Sequence, residues 1–189
     1  MAEHQSLIGV TGLARSGKSE AVRYIHTAYG YEVVTASGLI RASLQQESGR
    51  TTFARDELRQ RGDELRRLYG ADFVVTHAHN LGSERVVIDG LRNKEAVRSL
   101  GHYGGILIGI TADIEARFAR DQQSNDGKPH YTRIEDMIQD EAKELRAPDE
   151  RSLGVLDVLD MVHPERRIDT THLSIDDVRS EIDRIFCSL

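Results

Sequence analysis

The sequence contains a single cysteine, Cys187, which excludes an internal disulfide and suits a reducing compartment. No apolar run approaches the roughly 18 residues of a membrane span. The opening MAEHQSLIGV has neither a basic n-region nor a long apolar core. A cytoplasmic, soluble protein without a membrane partner is therefore expected. An excess of positive charge is also missing: 25 Lys+Arg stand against 31 Asp+Glu, a net charge of −6, which argues against a general affinity for nucleic acid. His77 and His79 lie two apart with no cysteine pair beside them, so zinc spacing is absent. Internal repeats and low-complexity tracts are lacking too. At 189 residues the chain fits one domain, residues 1–189, with enough length to bury a proper core.

What is present is concentrated in LIGVTGLARSGKSE, Leu7 to Glu20. Gly12, Gly17, Lys18 and Ser19 satisfy Gly-x-x-x-x-Gly-Lys-Ser after an apolar run of strand character. Small residues let the backbone curl round a phosphate chain with its N–H groups inward, and the helix that follows adds the positive end of its dipole. The expected nucleotide-binding set is Gly12, Ala14, Arg15, Ser16, Gly17, Lys18, Ser19 and Glu20. Lys18 would neutralise the β- and γ-phosphates, and the Ser19 hydroxyl would hold Mg²⁺. The implied ligands are a nucleoside triphosphate, ATP as phosphoryl donor, and Mg²⁺.

The rest of the chain alternates strands and helices. Strands are expected at Leu7–Thr11, Tyr31–Thr35, Val86–Ile88 ending in Asp89, Ile106–Thr111 and, most weakly patterned, Arg167–Thr170. The first helix, Lys18 to about Tyr29, would bury Ala21, Val22, Ile25, Ala28 and Tyr29 and close at Gly30. A short helix with Leu39, Ile40 and Leu44 closes at Gly49. The segment Phe53 to Tyr69 sets Ala54, Leu58, Leu65 and Leu68 on one side and is rich in arginine elsewhere. Ala71 to Asn80 reads as helix. Asn93 and Asp113 read as caps, the stretch from Asp121 to Tyr131 as a loop, and Pro148 as a helix end. Thr132-x-x-Glu135 is a capping-box pattern before an apolar stripe of Ile134, Met137, Ile138, Ala142 and Leu145, and the acids from Glu135 to Glu150 read as the wet face of that helix. Ser152–Val162 reads as helix, and Ser174-x-x-Asp177 opens a last one with Val178, Ile182, Ile185 and Phe186 inward. This order predicts an α/β fold with a five-stranded parallel sheet between helical layers and ligands at the C-terminal strand ends.

Asp89 ends an apolar strand as a Walker-B acid does, and there it can order Mg²⁺-bound water beside Ser19. Arg92 would point over the same edge. Arg41 and Arg66 offer planar guanidinium clamps for a second phosphate, although each taken singly reads more readily as a solvated surface charge. Arg117, Arg120 and Lys128 frame a polar loop, as a closing lid needs, with a solvated connection as the plain alternative.

The order of the Gly12–Ser19 loop, Ser37-Gly-Leu-Ile-Arg41, Val87-Ile-Asp-Gly-Leu-Arg92 and Arg117-x-x-Arg120 resembles the P-loop nucleoside monophosphate kinases and the related dephospho-coenzyme A kinases. The resemblance implies an acceptor-binding helical insertion over 36–82 and a lid over 121–147. It also implies acceptor contacts from Arg41, Arg92 and Arg66, and catalysis by Lys18, Asp89, Arg117 and Arg120, with Ser19 and Asp89 at the metal. Adenylate kinases have Asp-Gly-Phe-Pro-Arg where this chain has Asp-Gly-Leu-Arg, and an acid where Gly38 stands. The Ala14-Arg15-Ser16 loop is nearer to phage-type deoxynucleotide kinases. The expected activity is phosphoryl transfer from ATP to a small nucleotide-like acceptor, a nucleoside or deoxynucleoside monophosphate. A hydroxyl acceptor such as dephospho-coenzyme A, a modified nucleoside or a polynucleotide end is the alternative. A nucleotide-gated switch is a further one, but Asn93-Lys94-Glu95-Ala96 lacks the aspartate that would read guanine.

Overall fold

The computed structural model describes residues 6–125, 130–146 and 152–189. Five strands, β1 (Leu7–Thr11), β2 (Glu32–Thr35), β3 (Val86–Asp89), β4 (Ile106–Thr111) and β5 (Arg167–Asp169), form one sheet in the order β2-β3-β1-β4-β5. Every pairing is parallel. The connecting helices are α1 (Lys18–Tyr29), α2 (Ala36–Ser48), α3 (Arg55–Tyr69), α4 (Phe73–Asn80), α5 (Lys94–His102), α6 (Ile114–Gln123), α7 (Ile134–Leu145), α8 (Val155–Asp160) and α9 (Ile175–Cys187). None of the described helices is long and apolar enough to cross a membrane.

The two-residue period of the strands divides the core between the sheet's faces. Ile8, Val10, Val87, Ile106, Ile108, Ile110 and Ile168 point to the face covered by α1 and α9. Leu7, Val86, Ile88 and Leu107 point to the other, where α4, α5 and α8 pack. Because both faces are covered, the strands read as continuous apolar runs rather than alternating ones. β1 is central, with β3 and β4 on either side, so the chain turns from one half of the sheet to the other around it. The crevice at such a switch point opens where the loop after β1 lies.

Several local expectations change. β2 begins at Glu32, and Tyr31 is instead fully buried, edge-on to Phe186. α2 is a 13-residue helix, capped by the Thr35 side chain, which accepts from Gly38 N–H, and closed by left-handed Gly49. It buries none of its residues; the partly buried Leu39 and Ile40 only lean on the core. α3 buries Gly62 and Leu65, but Leu68 is 69% exposed. Ala28 is exposed on α1. α6 continues to Gln123, so Asp121 is helical rather than the start of a loop. Asp113 occupies the N-cap of α6 without a side-chain cap bond; its own N–H is taken by Thr171 Oγ1. The Thr132–Glu135 box does not form: α7 starts after Arg133, and Arg133 pairs with Glu135. Ile138 and Ala142 are exposed, so the apolar stripe of α7 narrows to buried Met137 with half-buried Ile134 and Leu145. The Ser174–Asp177 box is present, and Asn93 caps α5 through Ala96 N–H. Lys128 and Pro148 lie outside the described residues.

Candidate active site

The loop after β1 has the geometry of an anion cradle. Gly12 has φ 147°, and a Cβ there would lie 2.1 Å from the Ile110 carbonyl oxygen, so the position admits no side chain. Gly17 closes the loop at φ 98° as the N-cap of α1, and no side chain caps that helix. The first N–H groups of α1 are thus left to a ligand. Arg15 takes a left-handed conformation, φ 60°, that costs an ordinary residue about 1–2 kcal/mol. Its guanidinium is held from α6 by Asp121 at 2.8 Å and from Ser124 Oγ at 2.8 Å, which fixes the loop's outer turn. Ser16 Oγ is buried without a hydrogen-bond partner among the described residues. A buried hydroxyl left so is consistent with a cradle that is completed by its ligand.

Side chains from distant parts of the chain hold the loop's carbonyls. Thr170, just after β5 and 1% exposed, places its hydroxyl 2.8 Å from Ser16 O and 3.1 Å from Thr111 O. Arg120 donates to Arg15 O at 3.3 Å and to Thr170 Oγ1 at 2.9 Å. Arg117, 4% exposed, donates to Ala112 O at 3.1 Å and to Ala14 O at 3.2 Å. Both arginines therefore stand on α6 against the loop itself and not on the segment after it. On the β3 side, Gly90 and Leu91 N–H both donate to Val10 O, and Thr11 Oγ1 donates 2.7 Å to Leu91 O. These bonds fold the Asp89–Arg92 turn over the end of β1. In the sheet register Asp89 faces Val10 on one side and Thr35 on the other.

Lys18 lies at the centre of the charge. Its Nζ donates 2.7 Å to Leu13 O, folded back on the loop. Burial pushes its pKa down from 10.5 to about 8; Arg92 and Arg117 push the same way, and Asp89 and Glu141 oppose them. These five side chains, from α1, β3 and the turn after it, α6 and α7, thus share one electrostatic neighbourhood. Glu141 was not expected there, since the acids of α7 read as its wet face. Instead its side chain, 12% exposed, contacts the Arg117 guanidinium, itself 5% exposed. Glu20 points elsewhere, to Arg179 of α9 at 3.0 Å and to Arg23. Asp121, 1% exposed, gathers Arg15, the Tyr131 N–H at 2.9 Å and, at 3.8 Å, His130. Tyr131 donates its hydroxyl 2.8 Å to Asp140, and burial with that bond pushes its pKa up to about 12.

The remaining arginines are arranged differently. Arg41 is exposed on α2 and forms no ion pair among the described residues. Arg66 is paired with Asp63 of its own helix at 2.6 Å. Arg61 joins α3 to α2 through Ser43 at 3.0 Å and Glu47 at 3.1 Å. Thr170, Asp121, Thr11 and Glu141 belong to no sequence motif because each acts through a partner about 24 to 154 residues away in the chain. Only the acid run around Glu141 gave any signal, and it had a simpler reading.

The donor set suits magnesium: Ser19 opens α1 beside the cradle, and Asp89 supplies a carboxylate at the adjoining strand end, both hard oxygen groups. The orphaned Ser16 hydroxyl and the uncapped α1 favour a phosphate chain in the same place.

No protein-family model matches the chain. The shikimate kinase of Acinetobacter baumannii, solved with shikimate, superposes with a TM-score of 0.57 at 16% identity, over 98% of this chain and 95% of that one. A gluconokinase of Sinorhizobium meliloti gives 0.53 at 16% identity, over 98% and 95%. At such identity the likeness shows the fold, that of the P-loop kinases. By sequence, the UPF0200 protein of Methanosarcina barkeri is 33% identical over 156 residues, 78% of this chain and 77% of that protein. The UPF0200 protein of Methanosarcina mazei is 33% identical over 159 residues, 78% and 76%. On that identity and coverage, the chain belongs to the UPF0200 family.

Proposed function

We propose that the protein is an ATP-dependent kinase that moves the γ-phosphoryl group to a nucleotide-like acceptor, a nucleoside or deoxynucleoside monophosphate. The observation that carries this reading is the Asp89–Arg92 turn, bonded over the end of β1 so that an acid and an arginine act electrostatically on Lys18. A triphosphate-only site needs no cation from the β3 edge, whereas a transfer site must neutralise the acceptor beside the donor. An acceptor phosphate oxygen attacks the γ-phosphorus, the bond to the β,γ-bridging oxygen breaks, and ADP leaves with that electron pair. The attacking oxygen is already ionised, so positioning and charge neutralisation suffice. Lys18 would stabilise the charge on the β- and γ-phosphates, Arg117 and Arg120 would brace the loop that orients them, and Arg92, with Arg41 and Arg66, would hold the acceptor. Ser19 and Asp89 would hold Mg²⁺, which supplies further charge neutralisation on the phosphate oxygens.

A polynucleotide acceptor fits less well, because the chain carries a net charge of −6. The test is ATP consumption by the purified protein across ribo- and deoxynucleoside monophosphates, dephospho-coenzyme A and nucleic-acid ends. Stimulation by one or more nucleoside monophosphates is expected. Stimulation by a hydroxyl acceptor alone would replace the acceptor class. Tight nucleotide binding with no stimulated turnover would favour a nucleotide-gated switch.

A further inference from the structure

Glu141 sits where an acid is least welcome in a phosphate-binding site. It contacts Arg117, which also holds the Ala14 carbonyl of the loop, and both side chains are almost wholly withdrawn from water. The Lys18 ammonium is turned back onto Leu13 O. A phosphate chain in the cradle would draw Lys18 outward and would face the Arg117 guanidinium from the ligand side. Two anions on one buried guanidinium repel strongly in a poorly screened site.

The helix that carries Glu141 buries few of its described side chains, and its C-cap Arg146 pairs with Asp157 and Asp160 of α8. Among the described side chains of α7, Met137 alone is buried, while Ile138 and Ala142 face solvent. Its N-terminal side is tethered through Tyr131, whose N–H meets Asp121 and whose hydroxyl meets Asp140. The Glu141–Arg117 pair is thus a large part of what fastens the middle of α7 to α6. Segments held by few buried contacts open at low cost.

Building on the kinase reading of this site, we infer that the Glu141 carboxylate is a resident stand-in for phosphate: it pairs with Arg117 while the site is free of nucleotide and yields to the ligand's phosphate on binding, which loosens α7 from α6. Nucleotide binding and α7 docking are then negatively coupled, and by linkage each weakens the other by the same factor. The device keeps Arg117 paired in the free protein, and it makes α7 the element that reports occupancy.

The test uses the full chain with inorganic tripolyphosphate, which carries the phosphates and neither base nor acceptor. In Glu141→Gln the dissociation constant should fall about threefold to tenfold, since the competing charge is gone and the side chain's volume is kept. Amide exchange over Ile134–Leu145 should rise when tripolyphosphate is added to the wild type, and should already be raised in ligand-free Glu141→Gln. The wild-type exchange measurement stands even where the variant folds poorly. Unchanged or weaker binding in a folded variant, or wild-type α7 exchange that stays level or falls on binding, would overturn the inference. Weaker binding together with lower turnover would instead make Glu141 a positioning residue for Arg117. Those results leave the kinase reading intact, whereas a wild type that binds neither tripolyphosphate nor ATP would overturn both.

Discussion

Around the phosphate loop the carbonyls of Ala14, Arg15 and Ser16 are each held by a side chain from elsewhere in the fold, Arg117, Arg120 and Thr170. Across the crevice, α2 buries none of its residues, Arg41 stands exposed, and Arg66 is occupied by Asp63. In the proposed kinase the donor half would be preformed and the acceptor half would not. A preformed cradle lowers the ordering cost of binding a nucleotide, whereas exposed Arg41 and Arg66, paired to Asp63, would have to rearrange to hold an acceptor. The two halves should therefore respond differently to substitution.

Lys18→Ala should produce the largest loss, about 10²–10³-fold or more in turnover, since it removes a positioned cation from the transferring group. Steady-state ATP consumption reads it. Arg92→Ala should lower kcat/KM for the acceptor by about 10-fold to 100-fold while the dissociation constant of ATP hardly moves. An equal loss in ATP affinity would erase the division between the halves.

Thr170→Val keeps the shape and removes the hydroxyl that faces Ser16 O and receives Arg120. Leaving those buried groups unpaired should cost about 1–3 kcal/mol of stability. Thermal denaturation with and without ADP should show reduced stabilisation by the nucleotide as well. Arg66→Ala should cost less than about 1 kcal/mol in stability, because its partner lies one helical turn away and is half exposed. Its effect on kinetics should be confined to the acceptor's KM.

A pH measurement sharpens the contrast further. The Lys18 pKa is lowered to about 8 from 10.5, so between those values the unfolded chain binds more protons than the native one. The destabilisation caused by burying the ammonium is then complete below pH 8 and fades as pH rises toward 10.5. Lys18→Met should raise the Tm of the ligand-free protein at pH 7, and that advantage should shrink by pH 10. Phosphates favour the charged form, so ATP binding near pH 8.5 should take up protons, measurable by titration calorimetry in buffers of different ionisation enthalpy. No comparable uptake is expected on acceptor binding.

The sheet was readable from the sequence because buried parallel strands are short, β-branched and bounded by glycine or acid, as at Val86–Asp89 and Ile106–Thr111. The loop was readable because its chemistry is local, with the essential residues falling within eight positions from Gly12 to Ser19. What could not be read was tertiary. Thr170 is one threonine among several until the fold sets it against Ser16, and Asp121 looked like the first residue of a loop until α6 extended through it. The Thr132–Glu135 pattern failed because Arg133 competes for Glu135. Glu141 followed the polar side of a helical period, and only the packing of α7 on α6 turns that side toward Arg117.

In the proposed reaction, phosphoryl groups leave ATP for a second molecule in this crevice. The direct measurement is label transfer from γ-labelled ATP in the presence of the nucleoside monophosphates, run with wild type and Lys18→Ala side by side. Label appearing in a nucleoside diphosphate with the wild type, and falling by at least two orders of magnitude in the variant, is the predicted result. Label that remains in ATP with every acceptor, or that moves equally well in both proteins, would contradict it.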